Sequence, residues 1–244
     1  MTLLAISADA KTIKGQKQGV LTGILYLAPV DISGYQVCPK ASDGCKAACL
    51  FTAGRGVYQN TRNGRIRKTK LFFEDRAEFM AQLYKDILKL IRKAKRMNLI
   101  PAIRLNGTSD LPWEKISFTI AGATYPNIMT AFPEVQHYDY TKIINRKSAF
   151  NIPNYNLTFS LSENNDAEAL KALANGMNVA VVVNTKRKEV KPSIFSGFPA
   201  IDGDKNDVRF LDASGSIILL TAKGKARYDK TGFVKSLDYQ LTGS

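Results

Sequence analysis

The sequence predicts one α/β domain over residues 1–244, with mostly parallel strands forming a complete or partial (β/α) barrel. Three observations predict it. Apolar runs of strand length recur along the chain, and helical spacing or loops separate them. One run, Val179-Ala180-Val181-Val182-Val183, has no polar residue, as a strand covered on both faces requires. Several runs end in polar clusters, and the C-terminal strand ends are where a barrel carries its chemistry. An open doubly wound sheet is the alternative. No G-x-G-x-x-G follows the first strand, which weakens its dinucleotide-binding version.

The elements follow in order. Gly23-Ile24-Leu25-Tyr26-Leu27-Ala28-Pro29 reads as a strand ending at a proline. From about Glu74 to Met97, Phe79, Leu83, Ile87, Leu90, Ile91 and Ala94 fall three and four apart and build one apolar helix stripe, opposite Lys85, Lys89, Arg92, Lys93 and Arg96. Strands are expected at 101–105, 127–132, 135–140, 157–162, 179–183, 200–202 and 217–220, with a short helix over 166–174. Neither an internal repeat nor a low-complexity linker interrupts the chain.

Composition bounds the function. A hydrophobic fraction of 45% is ordinary for a globular domain. No apolar run nears the ~18 residues of a membrane span, and the first residues lack the basic head and apolar centre of a secretion signal. A cytoplasmic protein without a membrane partner is expected. Thirty-five Lys and Arg against 21 Asp and Glu give +14, which favours a polyanionic partner, most simply nucleic acid. Arg62, Arg65, Arg67, Lys68 and Lys70 crowd into nine residues, with Arg55 just upstream, and could grip phosphates without reading bases. A solvated basic face is the plainer alternative. No helix-turn-helix, zinc-finger or RNA-recognition signature is present, and one histidine is too few for the paired-histidine metal site of a rolling-circle nickase.

All three cysteines, Cys38, Cys45 and Cys49, lie within twelve residues among Pro, Lys, Ser, Asp and Gly. An odd count in a cytosolic setting argues against disulfides, and the polar neighbours argue against core thiols. A metal site is the reading that fits. Three thiolates suit a [4Fe-4S] cluster with one iron free of protein, or zinc with one further ligand. His137, the single histidine, lies far off in sequence. Asn106, Ser109 and Asp110 follow one strand, Tyr140, Thr141 and Lys142 another, and Ser160, Ser162, Glu163 and Asn164 a third. Asn106, Ser109, Asp110, Lys142, Ser160 and Glu163 are therefore candidates to line the mouth and bind a cofactor or substrate, with Arg104 also facing it. Turn and helix-cap chemistry accounts for the same residue types. Asp202, Asp204 and Asp207 match no calcium loop and read as a surface turn, and Trp113 reads as core or pocket wall.

Three cysteines on the loop after the first strand resemble the cluster loop of radical S-adenosylmethionine enzymes. Their usual C-x3-C-x2-C is replaced here by C-x6-C-x3-C. The resemblance implies S-adenosylmethionine as a possible cofactor. A closer likeness rests on Cys38-Pro39-Lys40-Ala41-Ser42, Ala53-Gly54-Arg55-Gly56, Arg104-Leu105-Asn106-Gly107-Thr108-Ser109-Asp110, Tyr138-Asp139-Tyr140-Thr141-Lys142, Phe159-Ser160-Leu161-Ser162-Glu163-Asn164 and Asp202-Gly203-Asp204 with Asp207 and Arg209. These segments resemble the gene-eighty-eight protein family of phages, which implies a phage or prophage origin and leaves the reaction open.

Overall fold

The computed structural model describes residues 1–6, 10–186 and 189–243. The chain runs β1 (Leu4–Ile6), α1 (Ala10–Gln16), β2 (Val20–Leu25), α2 (Asp43–Ala47), α3 (Gln59–Glu74), α4 (Arg76–Arg96) and β3 (Ile100–Arg104). The hairpin β4 (Phe118–Ile120) and β5 (Ala123–Tyr125) follows, then α5 (Ile128–Ala131), β6 (Gln136–Thr141), α6 (Lys147–Phe150), β7 (Tyr155–Ser160), α7 (Asp166–Ala174) and β8 (Asn178–Val183). The last strands are β9 (Ile194–Phe195), β10 (Phe198–Asp202) and β11 (Ile217–Thr221).

Nine strands form one sheet in the order β1-β2-β3-β6-β7-β8-β11-β10-β9. Every pairing from β2 through to β10 is parallel, and the two edge pairings are antiparallel. From β2 to β8 the strands advance in chain order in one direction, unlike a doubly wound sheet, whose order reverses partway. The complete barrel of the sequence reading does not form: the sheet is open. β10 lies outside β11, so the chain order is swapped at that end, and the hairpin partner β9 occupies the outer edge of β10. β1 occupies the outer edge of β2 in the same way. Both edges that closure would join are already taken, which also shields them from stray pairing.

Alternation along the strands splits the sheet into two faces. Leu21, Leu25, Ile103, Phe159, Val179, Val181 and Leu219 are buried in the main apolar cluster with Phe79, Leu83, Ile87 and Leu90 of α4. Each such side chain contributes about 1.5–3 kcal/mol by leaving water. The apolar stripe of α4 is the one its spacing predicts, but the helix starts at Arg76, where Asp75 accepts the amide of Glu78 at 2.9 Å as an N-cap. Asp86, only 2% exposed, accepts the amides of Leu3 (2.6 Å) and Leu4 (3.3 Å) and so fastens β1 onto α4.

One element departs in type. Residues 127–132 are not a strand, because the Asn127 side chain accepts the amide of Thr130 at 3.0 Å and starts the short helix α5. Local capping outweighs the β propensity of that run. The opposite face of the sheet is partly closed at its lower end by Val208 and Phe210 against Val20, Ala102 and Tyr138. Towards the C-terminal strand ends that face stays open.

Candidate functional site

The open part of that face is a cavity of about 750 Å³. Its floor is the alternate side chains of neighbouring strands: Ile24 of β2, Arg104 of β3, Tyr140 of β6, Ser160 of β7, Ala180 and Val182 of β8, and Leu220 of β11. Its walls come from the cysteine loop, from α3, and from the segment holding Lys223, Ala226 and Phe233. Six parallel strands thus deliver their C-terminal ends to one space, as in barrel enzymes.

Cys38, Cys45 and Cys49 all line this cavity, and all three are free thiols. The loop that presents them is built from long-range bonds. Cys38 Sγ accepts the amide of Val30 at 3.4 Å and reaches the carbonyl of Thr108 at 3.7 Å. Asp110 donates its amide to Val37 at 2.8 Å, and Thr108 Oγ1 donates to Leu27 at 2.6 Å, which ties the loop to the segment after β3. Glu163, just past β7, accepts the Gly44 amide and the Ser42 hydroxyl, both at 2.7 Å. Ser42 in turn accepts the Cys45 amide at 3.2 Å. Gly44 leaves room for this tether: a Cβ would lie 2.3 Å from Thr231 Oγ1 and 2.8 Å from Glu163 Oε2, so both side chains would have to move.

Burial pushes the Cys38 thiol up to about 12, against the Val30 amide, and the neighbouring Cys49 and Cys45 add to the rise. Cys49 is also raised by burial, while Arg65 and Lys142 beside it favour its thiolate. Among the described residues, no group of three or more His, Cys, Asp or Glu side chains is arranged to hold a metal ion as the side chains stand. His137 cannot join the thiols. It is fully buried near the start of β6, in register with Ile103 and Tyr155, its Nδ1 3.0 Å from the Val135 carbonyl. Burial pushes it down to about 4.

The basic stretch divides. Thr61, Gly64, Arg65 and Lys68 face the cavity from α3, with Arg55 at its rim, while Arg67 and Lys70 are exposed elsewhere on the helix. Arg65 is only 9% exposed. Its guanidinium lies 4.8 Å from the Tyr26 ring centre and 5.5 Å from that of Phe51, yet among the described residues Nε and Nη1 have no hydrogen-bond partner. Lys68 donates to the Leu3 carbonyl at 2.6 Å, and burial lowers its pKa. Arg62 lies over Phe51 at 4.9 Å and donates to the Gly56 carbonyl at 3.1 Å.

Most of the polar strand-end residues are scaffold rather than free ligands. Asn106 accepts from Ser109 Oγ (2.9 Å), the Leu111 amide (2.9 Å) and Trp113 Nε1 (3.1 Å), and its Nδ2 donates to the Leu111 carbonyl. Trp113 is core. Asp110 accepts the Lys142 amide at 2.8 Å and stands 3.7 Å from Arg146. Arg146, 1% exposed, also forks onto Glu114 and donates to Tyr155 at 2.9 Å. Tyr155 donates to Asp139, which accepts the Asn106 amide at 2.6 Å. Burial holds the Asp139 carboxyl up at about 7 against those bonds. Glu163 is spent on the cysteine loop. Asn106, Ser109, Asp110, Lys142 and Ser160 all line the cavity, Lys142 with its ammonium 5.7 Å from the Phe233 ring centre.

The sequence reading misses the apolar part of the cavity floor, Ile24, Ala180, Val182 and Leu220. Arg104 lies 4.5 Å over Tyr140 and pairs with Asp207 at 3.2 Å; burial works to lower the guanidinium's pKa, but Asp207 and the neighbouring tyrosines together raise it. Asp207 is thus a buried partner of Arg104, while Asp202 and Asp204 bind Lys191. Arg104, Tyr140 and Ser160 were legible from their places at strand ends. Arg65 carries no signal beyond its charge.

Among the described residues, no helix is long and apolar enough to cross a membrane. No curated protein and no solved structure matches this chain. A family model does, over residues 2–237, nearly the whole length. The chain belongs to the Gene product 88 family.

Proposed function

We propose that this protein holds a [4Fe-4S] cluster on Cys38, Cys45 and Cys49, and that the iron left without a protein ligand engages a small molecule in the adjoining cavity. One observation carries the reading: three free cysteines, the whole thiol complement of the chain, face the same cavity. The donor set fits by type, since soft thiolates select iron–sulfur clusters or zinc. Closing on one zinc ion would require the three side chains to swing onto a single centre with a fourth ligand, and His137 is buried away from them. A cubane meets its cysteines at three separate corners and needs no fourth residue. Arg65 and Lys142 would offset thiolate charge at Cys49.

What the cluster supplies when bound is an open coordination site and one-electron chemistry. This chain's residues do the rest. Glu163, Ser42 and Gly44 hold the loop, and Ile24, Ala180, Val182 and Leu220 keep the cavity floor dry. S-adenosylmethionine is the cofactor that the loop's position after the first parallel strand suggests. The test is anaerobic absorbance and electron paramagnetic resonance with and without it. A cluster spectrum that shifts on addition supports the enzyme reading, and an unmoved cluster restricts the site to a structural or electron-carrying role. Outward Arg67 and Lys70, with the net charge of +14, support contact with nucleic acid as a second reading. Affinity for DNA or RNA that is absent or indifferent to salt would refute it.

A further inference from the structure

We infer that the cavity takes a phosphate-bearing nucleoside, its phosphate lying against the α3 face formed by Thr61, Gly64, Arg65 and Lys68. This goes beyond the cluster reading by naming the ligand's chemical class, and it stands on α3 rather than on the cysteines.

The spacing is the first argument. Residues 61, 64, 65 and 68 recur at i, i+3, i+4 and i+7, the pattern by which a helix turns one face inward. An inward face is ordinarily apolar. Here it carries a hydroxyl, a bare backbone and two cations, all lining the cavity. Arg65 is the second argument. It is nine-tenths buried with Nε and Nη1 unpartnered among the described residues. Arg104, Arg146 and Arg209 also hold unpartnered nitrogens, but each has a carboxylate beside it and Arg65 has none among the described residues. Tyr26 and Phe51 clamp its faces, so its donors are fixed before a ligand arrives. Nε and Nη1 lie on different edges of the guanidinium, so the several oxygens of a phosphate suit it better than one acceptor atom.

Gly64 is the third. A Cβ at that position would have no atom within 4 Å, so there is unfilled space directly beside Arg65. Lys68 adds a second positive charge next to it and Arg55 a third at the rim, which favours a dianion over a single carboxylate. Beyond this polar wall the cavity turns apolar and aromatic, with Ile24, Val182, Leu220 and Tyr140, and its volume of about 750 Å³ has room for a base and sugar. A polymer strand is the poorer occupant. Arg67 and Lys70 point away from the face that holds Arg65 and Lys68, so the basic stretch offers no continuous outer groove.

The test is calorimetric titration of the full chain with each nucleoside 5′-monophosphate, the matching nucleosides, inorganic phosphate and a single-stranded oligonucleotide, with iron measured in the same sample. At least one monophosphate should bind about tenfold or more tighter than its nucleoside and than inorganic phosphate. Arg65→Met and Gly64→Leu should each weaken it by about tenfold or more. Gly64→Leu keeps both cations, so it reads the site even where Arg65→Met fails to fold. Equal affinity for nucleoside and monophosphate, binding of the oligonucleotide alone, no binding at millimolar ligand, or an unaffected Gly64→Leu variant would each overturn the inference. Lack of iron would count against the cluster alone, and lack of monophosphate binding in an iron-loaded sample against this inference alone.

Discussion

Two buried arginines of this protein sit in opposite circumstances. Arg146 is surrounded by acceptors, forking onto Glu114, donating to Tyr155 and facing Asp110 at 3.7 Å. Arg65 has aromatic faces against it and two nitrogens with no partner among the described residues. The first arrangement ties Nε and Nη2 to partners within the fold, with only Nη1 left without a hydrogen bond among the described residues, and locks the segment after β3 to β6 and β7. The second is complete only when something else fills the cavity. Buried polar groups are scaffold where their bonds close within the fold, and binding equipment where they stay open.

Substitutions break the comparison at either end. Arg146→Met takes the guanidinium from Glu114, which is buried, and should cost about 3–5 kcal/mol in urea unfolding. Arg65→Met abandons no acceptor, and its cost should stay within about 1 kcal/mol. Equal losses at both sites would erase the distinction.

Asp139, inside the closed network, sharpens it through pH. Its carboxyl titrates near 7 in the folded chain and in the ordinary carboxylate range when unfolded. Between about pH 4 and 7 the folded state therefore binds a proton that the unfolded state has lost. That stabilisation is present at low pH and disappears as pH rises through 7. Asp139→Asn should gain on the wild type between pH 5 and pH 8; a constant difference across that range would show that Asp139 is ionised throughout. His137 is common to both proteins and cancels.

Glu163→Gln removes the charge from two 2.7 Å bonds that hold the cysteine loop, and should lose about 1–3 kcal/mol with poorer cluster retention. The smallest effect is expected at Gly64. Glycine in a helix interior costs about 0.5–1 kcal/mol relative to alanine, and a methyl has room there. Gly64→Ala should therefore raise stability by about that amount. A loss instead would mean that the space beside Arg65 is already filled.

How much of this was legible in the sequence follows the same division. Elements that bury one apolar face announce it, so α4, β8 and β11 are readable from spacing alone. α3 is not, because its inward face is Thr61, Gly64, Arg65 and Lys68, and a polar stripe with a glycine resembles a solvated surface. Closure of the sheet was also illegible. It depends on β10 lying outside β11 and on β1 and β9 occupying the edges, and these are choices of pairing rather than local pattern. The cysteines were visible as a cluster of thiols. The residue that holds their loop, Glu163, lies 119 positions from Gly44. At a strand end it read as a mouth residue, and only the fold turns it into a tether. Asn106, Ser109 and Asp110 do line the cavity, but sequence identifies polar residues at strand ends without saying which of their bonds are already made within the fold.

Cys38, Cys45 and Cys49 are proposed to hold one cluster together at the cavity. The most direct test is the metal and sulfide content of protein purified without oxygen, measured beside the Cys45→Ala variant. The account predicts roughly four iron and four acid-labile sulfide per wild-type chain, the cubane composition, and loss of both in the variant. One zinc per chain without sulfide, or iron content unchanged by removal of the cysteine, would contradict it.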